Sequence, residues 1–264
     1  MFRRVAGVAA VGLLVSSAAW AQDSDDYRTR LELNGFAGYS FNQRLDGNLG
    51  SNVYNRIGPR DDLTYGAELG YYATPNLEIG LLWSGQRSQL ELRDFDPVAA
   101  AAAAGTSAAS VGRPVVSVAQ TTNGAGVYRV GQMYVNTFHG VLSYNFGPST
   151  AMIRPFVFGG AGVTRYGNVT YQAVDVTATG TGATTTAVVP ASIPAESRFS
   201  TTWGLGLKIA PTHGLGIRLA GRWTPTRVNS SSSGWWCDPN LGCYTNGGRF
   251  QNEFTVTGGV TLRY

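Results

Sequence analysis

The last eleven residues, Phe254-Thr-Val-Thr-Gly-Gly-Val-Thr-Leu-Arg-Tyr264, alternate without a break and stop on an aromatic. Successive side chains of a β-strand point to opposite faces. Phe254, Val256, Gly258, Val260, Leu262 and Tyr264 therefore share one face, and Thr255, Thr257, Gly259, Thr261 and Arg263 the other. The first face suits lipid or a core, and the second tolerates water.

Seven more segments carry the same period of two. Near Arg30 to Phe41, Leu31, Leu33, Ala37, Tyr39 and Phe41 oppose Glu32, Asn34, Phe36 and Ser40. Near Leu63 to Tyr72, Leu63, Tyr65, Leu69 and Tyr71 oppose Thr64 and Glu68; from Leu77 to about Leu92, Leu77, Ile79, Leu81 and Trp83 oppose Glu78, Leu82 and Ser84. The fourth, about Tyr128 to Phe146, sets Tyr134, Phe138, Leu142 and Tyr144 against Val135, Thr137, His139, Val141, Ser143 and Asn145, with apolar residues on both sides. The fifth, Arg154 to Thr164, is ambiguous in facing. The sixth, Arg198 to Ile209, alternates Phe199, Trp203, Leu205 and Leu207 with Ser200, Thr202 and Lys208. The seventh, from Leu215, alternates Leu215, Ile217, Leu219 and Trp223 with Arg218, Ala220, Arg222 and Thr224.

The connections alternate in length. Those after the first, third, fifth and seventh segments run about 42 to 62, 93 to 127, 165 to 197 and 225 to 250, whereas the other three are a few residues each. Arg3 and Arg4 precede an apolar run from Val5 to Val15 and then Ala19-Trp-Ala21, a secretory leader pattern that sets residues 1–21 apart and starts the mature chain at Gln22. No Cys follows that site, so no lipid anchor is expected there. The whole chain has 20 Lys and Arg against 16 Asp and Glu, a formal +4 that falls to +2 when Arg3 and Arg4 leave with the leader. Such a near-neutral balance gives no argument for nucleic acid. No later stretch has the length of a membrane-spanning helix, yet charges make up only 14% of the chain and Gly and aromatics are abundant. A chain that spans a membrane without such helices must close into a barrel, because hydrocarbon offers the backbone no partners. The expected fold is all-β: an eight-stranded antiparallel transmembrane β-barrel formed by residues 22–264, with four long external loops, short periplasmic turns and both termini inside. Aromatic girdles are expected from Tyr71, Tyr144, Phe146 and Tyr264 at the periplasmic interface and from Tyr39, Phe41, Trp83, Tyr134 and Trp223 at the outer one. A soluble lipocalin-like barrel would instead turn the apolar faces inward and has no need of a terminal aromatic.

Gly66-Ala-Glu-Leu-Gly-Tyr-Tyr-Ala-Thr-Pro-Asn76, Arg154-Pro-Phe-Val-Phe-Gly-Gly-Ala-Gly162, Trp203-Gly-Leu-Gly-Leu-Lys208 and the terminal strand together resemble the small bacterial outer-membrane β-barrel superfamily of OmpA, OmpX and OmpW-type barrels. The resemblance covers the mature chain and implies a location in the bacterial outer membrane. It also implies contact with its lipid and lipopolysaccharide and a monomeric state. Phe254, Val256, Val260, Leu262 and Tyr264 resemble the C-terminal signal read by the barrel-assembly machinery. No peptidoglycan-binding domain follows the barrel, so an OmpA-like anchoring role is not expected.

Charges fall on the predicted inner faces, with Glu32, Glu68 and Glu78 set against Lys208, Arg218, Arg222 and Arg263. An eight-stranded barrel holds little beyond packed side chains, and buried charges persist when paired. Two readings stay open. In one, an ion-pair network plugs the lumen and the protein has a structural or surface-interaction role. In the other, the protein is a narrow gated pore, in which the same network opens, or an OmpW-like conduit for small apolar solutes; the inward charges argue against the conduit. Lipid A deacylases and palmitoyltransferases are barrels of this size and need a His beside a hydroxyl. Here Ser143 lies about 13 Å along the strand from His139, at ~3.3 Å per residue, and His213 sits in a turn, so no enzyme and no cofactor are expected. Cys237 and Cys243 flank an Asp-Pro-Asn turn and in an exported chain read as a disulfide. A metal site is the rival, with only Asp238 near enough in sequence to add a ligand, and no metal is expected. Ala99 to Ala104 and the Thr, Ala and Gly stretch from Thr177 to Ala187 bury little and are expected to be mobile, as spacers or as surfaces for external partners.

Overall fold

A computed structural model describes residues 30–46, 56–93, 113–114, 128–178, 184–209, 214–228, 235, 237–238, 242–243 and 250–264. The proposed leader, the alanine run at 99–104 and His213 lie outside these residues. Eight long strands form the body: β1 (Leu31–Asn42), β2 (Asp62–Tyr72), β3 (Leu77–Arg93), β4 (Tyr128–Asn145), β5 (Ile153–Tyr166), β6 (Glu196–Ile209), β7 (Leu215–Arg227) and β8 (Phe250–Arg263). Each pairs antiparallel with the next in sequence, and β8 closes on β1.

The register fixes the shape. Stepping across paired residues from Phe41 leads to Phe254, Trp223, Trp203, Gly159, Leu142, Ile79, Tyr71 and finally Leu31. One circuit thus returns to β1 ten residues from its start, since 41 minus 31 is 10. For eight strands spaced ~4.8 Å apart with ~3.3 Å per residue, that stagger sets a tilt of roughly 40° and a backbone radius of about 8 Å. Side chains fill such a tube.

The facings follow the sequence pattern. Leu33, Leu63, Leu69, Leu81, Phe138, Leu142, Leu205, Ile217, Val256 and Val260 all point outward and are exposed, while Glu32, Thr64, Glu68, Ser84, Thr137, Ser200, Thr202, Thr255 and Thr261 are buried inside. The apolar surface is outside and the polar one inside, the reverse of a lipocalin. Each strand reaches or exceeds the ~9 to 11 residues a tilted strand needs to cross the hydrocarbon. Tyr39, Phe41, Phe254, Trp223 and Trp203 are exposed towards the long-loop end, with Tyr39 and Phe41 edge to face at 5.1 Å. Tyr71 and Tyr264 are exposed at the short-turn end, where Tyr144 and Phe146 lie edge to face at 5.1 Å. This is the architecture of a transmembrane β-barrel.

Three features depart from or sharpen the expectations. The ambiguous fifth strand turns Phe156 and Phe158 into the lumen, where both are buried with Leu82 and Val141. Each ring lies across from a glycine on β6, Phe156 opposite Gly206 and Phe158 opposite Gly204. A Cβ on Gly206 would stand 2.6 Å from the Phe156 ring, so the missing side chain is what admits the aromatic. Next, the Thr, Ala and Gly stretch expected to be mobile is in part strand: Val169–Ala178 and Thr184–Ile193 pair in a hairpin extending from β5, and Arg113–Pro114 pairs with its first arm. Thr and Val favour extended backbone, and a ladder of main-chain bonds needs no buried side chains. Finally, Arg56–Pro59 continues the wall by pairing with Leu90–Arg93 of β3.

Candidate functional site: the charged lumen

In the short-turn half of the lumen the acids and bases stand on opposite walls. Glu32, Glu68 and Glu78 come from β1, β2 and β3, and Arg154, Lys208, Arg218 and Arg263 from β5, β6, β7 and β8. Arg154, Lys208 and Arg218 are direct neighbours in register across three strands. Crowded together, they find opposite charge only across the tube.

Lys208 is the hub. Its ammonium lies 2.7 Å from Glu32 and 2.6 Å from Glu78, and donates to the Tyr72 hydroxyl at 2.9 Å. Lys208, Glu32 and Glu78 have side chains 2%, 0% and 1% exposed, so these ions have exchanged water for one another. Glu32 also meets Arg263 at 3.0 Å and accepts from the Tyr72 hydroxyl at 2.7 Å. Arg218 reaches Glu68 at 2.9 Å and Glu32 at 3.8 Å, with its guanidinium 4.4 Å from the centre of the Phe156 ring. Arg154 donates to the Pro75 carbonyl at 2.8 Å and ties β5 to the short turn between β2 and β3.

Arg222 behaves differently from its assignment to this network. It is buried in the lumen two repeats of the pleat above Arg218, but among the described residues no carboxylate lies within ion-pair distance. It donates instead to Ser84 at 2.9 Å and faces the Phe36 ring at 6.0 Å. Glu68, the expected partner, is taken by Arg218.

Above the charged layer the lumen is lined with hydroxyls and amides. His139 is inward, and its Nε2 lies 2.8 Å from the Ser200 hydroxyl, which also accepts from Thr164 at 2.9 Å. Spacing along β4 cannot bring in Ser200, which meets His139 because both stand opposite Gly162 of β5, one on each side of it. Ser143 is buried without a hydrogen-bonding partner among the described residues. Tyr72 and Phe156 join the network unannounced by charge. Tyr72 was within reach of sequence reasoning, because it continues the inward parity of Glu68 and Gly70.

At the long-loop end the Arg60 carbonyl accepts from Asn42 at 3.1 Å, Gln86 at 3.0 Å and Ser88 at 2.7 Å, drawing the chain over the mouth. Cys237 stands directly opposite Cys243 in a two-residue antiparallel pairing, while their side chains lie outside the described part of the structure. Phe254, Val256, Val260, Leu262 and Tyr264 form an exposed outer face on β8.

No protein-family model matches the chain, and no curated protein matches it either. Among solved structures it is similar to Neisserial surface protein A, at 8% identity and a TM-score of 0.45 over 89% of this chain and 97% of that one. It is similar to the outer membrane protein OprG from Pseudomonas aeruginosa, at 10% identity and 0.44 over 89% and 95%. It is also similar to the outer membrane protein AlkL, solved in lipid bilayers, at 12% identity and 0.46 over 93% and 95%. Function has to be argued from this chain's own lumen and surfaces.

Proposed function

We propose that the protein is a monomeric, non-enzymatic outer-membrane barrel with a structural or surface-interaction role, its lumen closed by an ion-pair plug. One observation carries the reading: Lys208 spans the tube between Glu32 and Glu78 at 2.7 and 2.6 Å, at 2% exposure. A tube of about 8 Å backbone radius leaves no water-filled path past such a bridge. A conduit for apolar solutes would need a continuous apolar lining, and here the apolar cluster of Leu82, Val141, Phe156 and Phe158 is interrupted by charges and hydroxyls. Catalysis by His139 and Ser200 is disfavoured by their burial, which keeps any bulky substrate away. In this reading the apolar belt contacts outer-membrane lipid and lipopolysaccharide, the β8 face ending at Tyr264 presents the assembly signal, and the long loops carry whatever external contacts the protein makes.

Conductance across planar bilayers tests the plug. The refolded parent is expected to be silent, and Lys208→Met to show brief openings. Reproducible single-channel steps in the parent would replace the plug with the gated-pore reading, in which the same ion pairs open and close the path.

A further inference from the structure

The outer wall of β3, β4 and β5 carries a group of arginines just beyond the apolar belt. Trp83, Phe138 and Val163 are one row of paired residues, all exposed to the outside. Gly85, Asn136 and Arg165 are the next outward-facing row towards the long loops, and Arg87 faces out one step further along β3, opposite Tyr134. With the tilt of roughly 40°, the climb across two strands from Gly85 to Arg165 equals, within about 1 Å, the climb of two residues from Gly85 to Arg87. Arg87 and Arg165 therefore stand at one height, about 12 Å apart between Cα atoms, with Tyr134 between them. Among the described residues Arg87 bonds the neutral Gln132, at 3.3 Å, and no carboxylate.

Above them Glu91 is buried and surrounded by Arg44, Arg60, Arg93 and Arg129 at 3.4 to 3.8 Å. Arg44 also meets Asp61 at 3.7 Å, so two carboxylates serve four guanidiniums. Arg60, Arg93 and Arg129 remain 44%, 38% and 57% exposed, so part of each side chain stays open to solvent. Among the described residues no acid faces outward on this wall; Asp94 and Asp96, next in sequence, lie outside them.

We propose that Arg87 and Arg165, backed by Arg129 and Arg93, form a binding site for the phosphorylated headgroup of an outer-leaflet glycolipid. The assignment rests on the outer-membrane reading and adds a named site to it. Charge sign and height choose the occupant together. The arginines begin where the apolar belt and the girdle residues Trp83 and Tyr134 end, which is the level of the headgroups. Guanidinium forks also match phosphate oxygens in pairs. The acyl chains of such a lipid would lie on Phe138, Leu81 and Val163.

The test uses the full mature chain refolded in nonionic detergent, titrated with bisphosphorylated lipid A, with the same lipid stripped of its phosphates, and with inorganic phosphate, and read by native mass spectrometry. A one-to-one adduct is expected with the phosphorylated lipid alone, weakened at least ~10-fold in Arg87→Gln/Arg165→Gln. Arg227→Gln, exposed on β7 away from this wall, should bind as the parent does. Equal binding of the stripped lipid, full binding by the double variant, or an equal loss in Arg227→Gln would each overturn the site. Displacement of the lipid by millimolar phosphate would assign the arginines to a free anion instead. Unboiled against boiled migration on a detergent gel is read for every variant: a parent with no shift would sink the barrel reading itself, whereas a shift without lipid binding sinks only this site.

Discussion

Replacing Lys208 by Met removes a buried cation of similar length and leaves its two carboxylates to their remaining partners. Glu32 keeps Arg263 at 3.0 Å, the Tyr72 hydroxyl at 2.7 Å and Arg218 at 3.8 Å. Glu78 keeps only the Asn145 amide, at 3.5 Å. The cost therefore concentrates on Glu78, and an uncompensated buried charge costs about 3 to 5 kcal/mol. If so, Lys208→Met/Glu78→Gln should recover most of the loss, ending within about 1.5 kcal/mol of the parent, because a neutral amide needs only ordinary hydrogen bonds. Urea unfolding of protein refolded in lipid vesicles, followed by tryptophan fluorescence and by gel migration, measures both variants. A single-variant loss below about 1 kcal/mol would mean that Lys208 is effectively hydrated, since that is the worth of a solvent-exposed pair. A double variant no better than the single would show that Glu78 is not where the cost resides.

Arg222→Met should cost less, under about 2 kcal/mol, because it forfeits one bond to Ser84 and a contact with Phe36 but orphans no carboxylate; a loss equal to that of Lys208→Met in the same titration would contradict its separation from the acids. Gly159→Val should destabilise by about 1 to 3 kcal/mol in the parent and by little in Trp203→Leu, since a Cβ there would meet the Trp203 ring at 2.8 Å; additive costs in this double-mutant cycle would refute the glycine–tryptophan fit. Deleting Tyr264 should lower the amount recovered in outer-membrane fractions, and unchanged amounts would remove the case for an assembly signal. Cys237 and Cys243, opposite each other in the backbone pairing, should resist alkylation without reductant and close a loop worth roughly 2 kcal/mol locally; two readily alkylated thiols by mass spectrometry would refute the link.

What the sequence revealed and what it hid divide along a physical line. Period-two alternation decides which side of the wall a residue faces, and for β1, β2, β3, β4, β6, β7 and β8 it was enough to separate the inward charges from the outward Leu, Ile and Trp. On β5 it fails, because Phe156 and Phe158 alternate with Pro155 and Val157 and both faces look apolar. The choice is made by the neighbouring strand, where Gly204 and Gly206 leave room for rings. Alternation is likewise silent on height. Arg218 and Arg222 share a face, and only the register of β7 against the rest brings Arg218 level with Glu68 and leaves Arg222 beside Ser84. The same holds for His139 and Ser200, which meet because the registers of β4 and β6 against β5 set both opposite Gly162.

Height is also what the charges themselves help to set. A slip of one residue between strands would turn every apolar side chain into the lumen, and the alternating pattern forbids it. A slip of two residues keeps every face correct, so hydrophobicity alone leaves it open. Closure between β1 and β8 is then held by particular pairs. Glu32 lies opposite Arg263 in register and bonds it at 3.0 Å, and a two-residue slip would set Glu32 against Thr261 while carrying Arg263 past the start of β1. The same slip at the closing seam would move Glu32 about 7 Å along the strand, at ~3.3 Å per residue, relative to Lys208 and Arg218, too far for either to follow. Because Glu32, Glu68 and Glu78 sit on β1 to β3 and their bases on β6 to β8, none of these three can be paired before the barrel shuts, whereas Glu253, the inward acid of β8, is held by the hydroxyls of Ser40 and Thr255. The segregation that plugs the lumen therefore also selects the one closed register in which all three glutamates are paired.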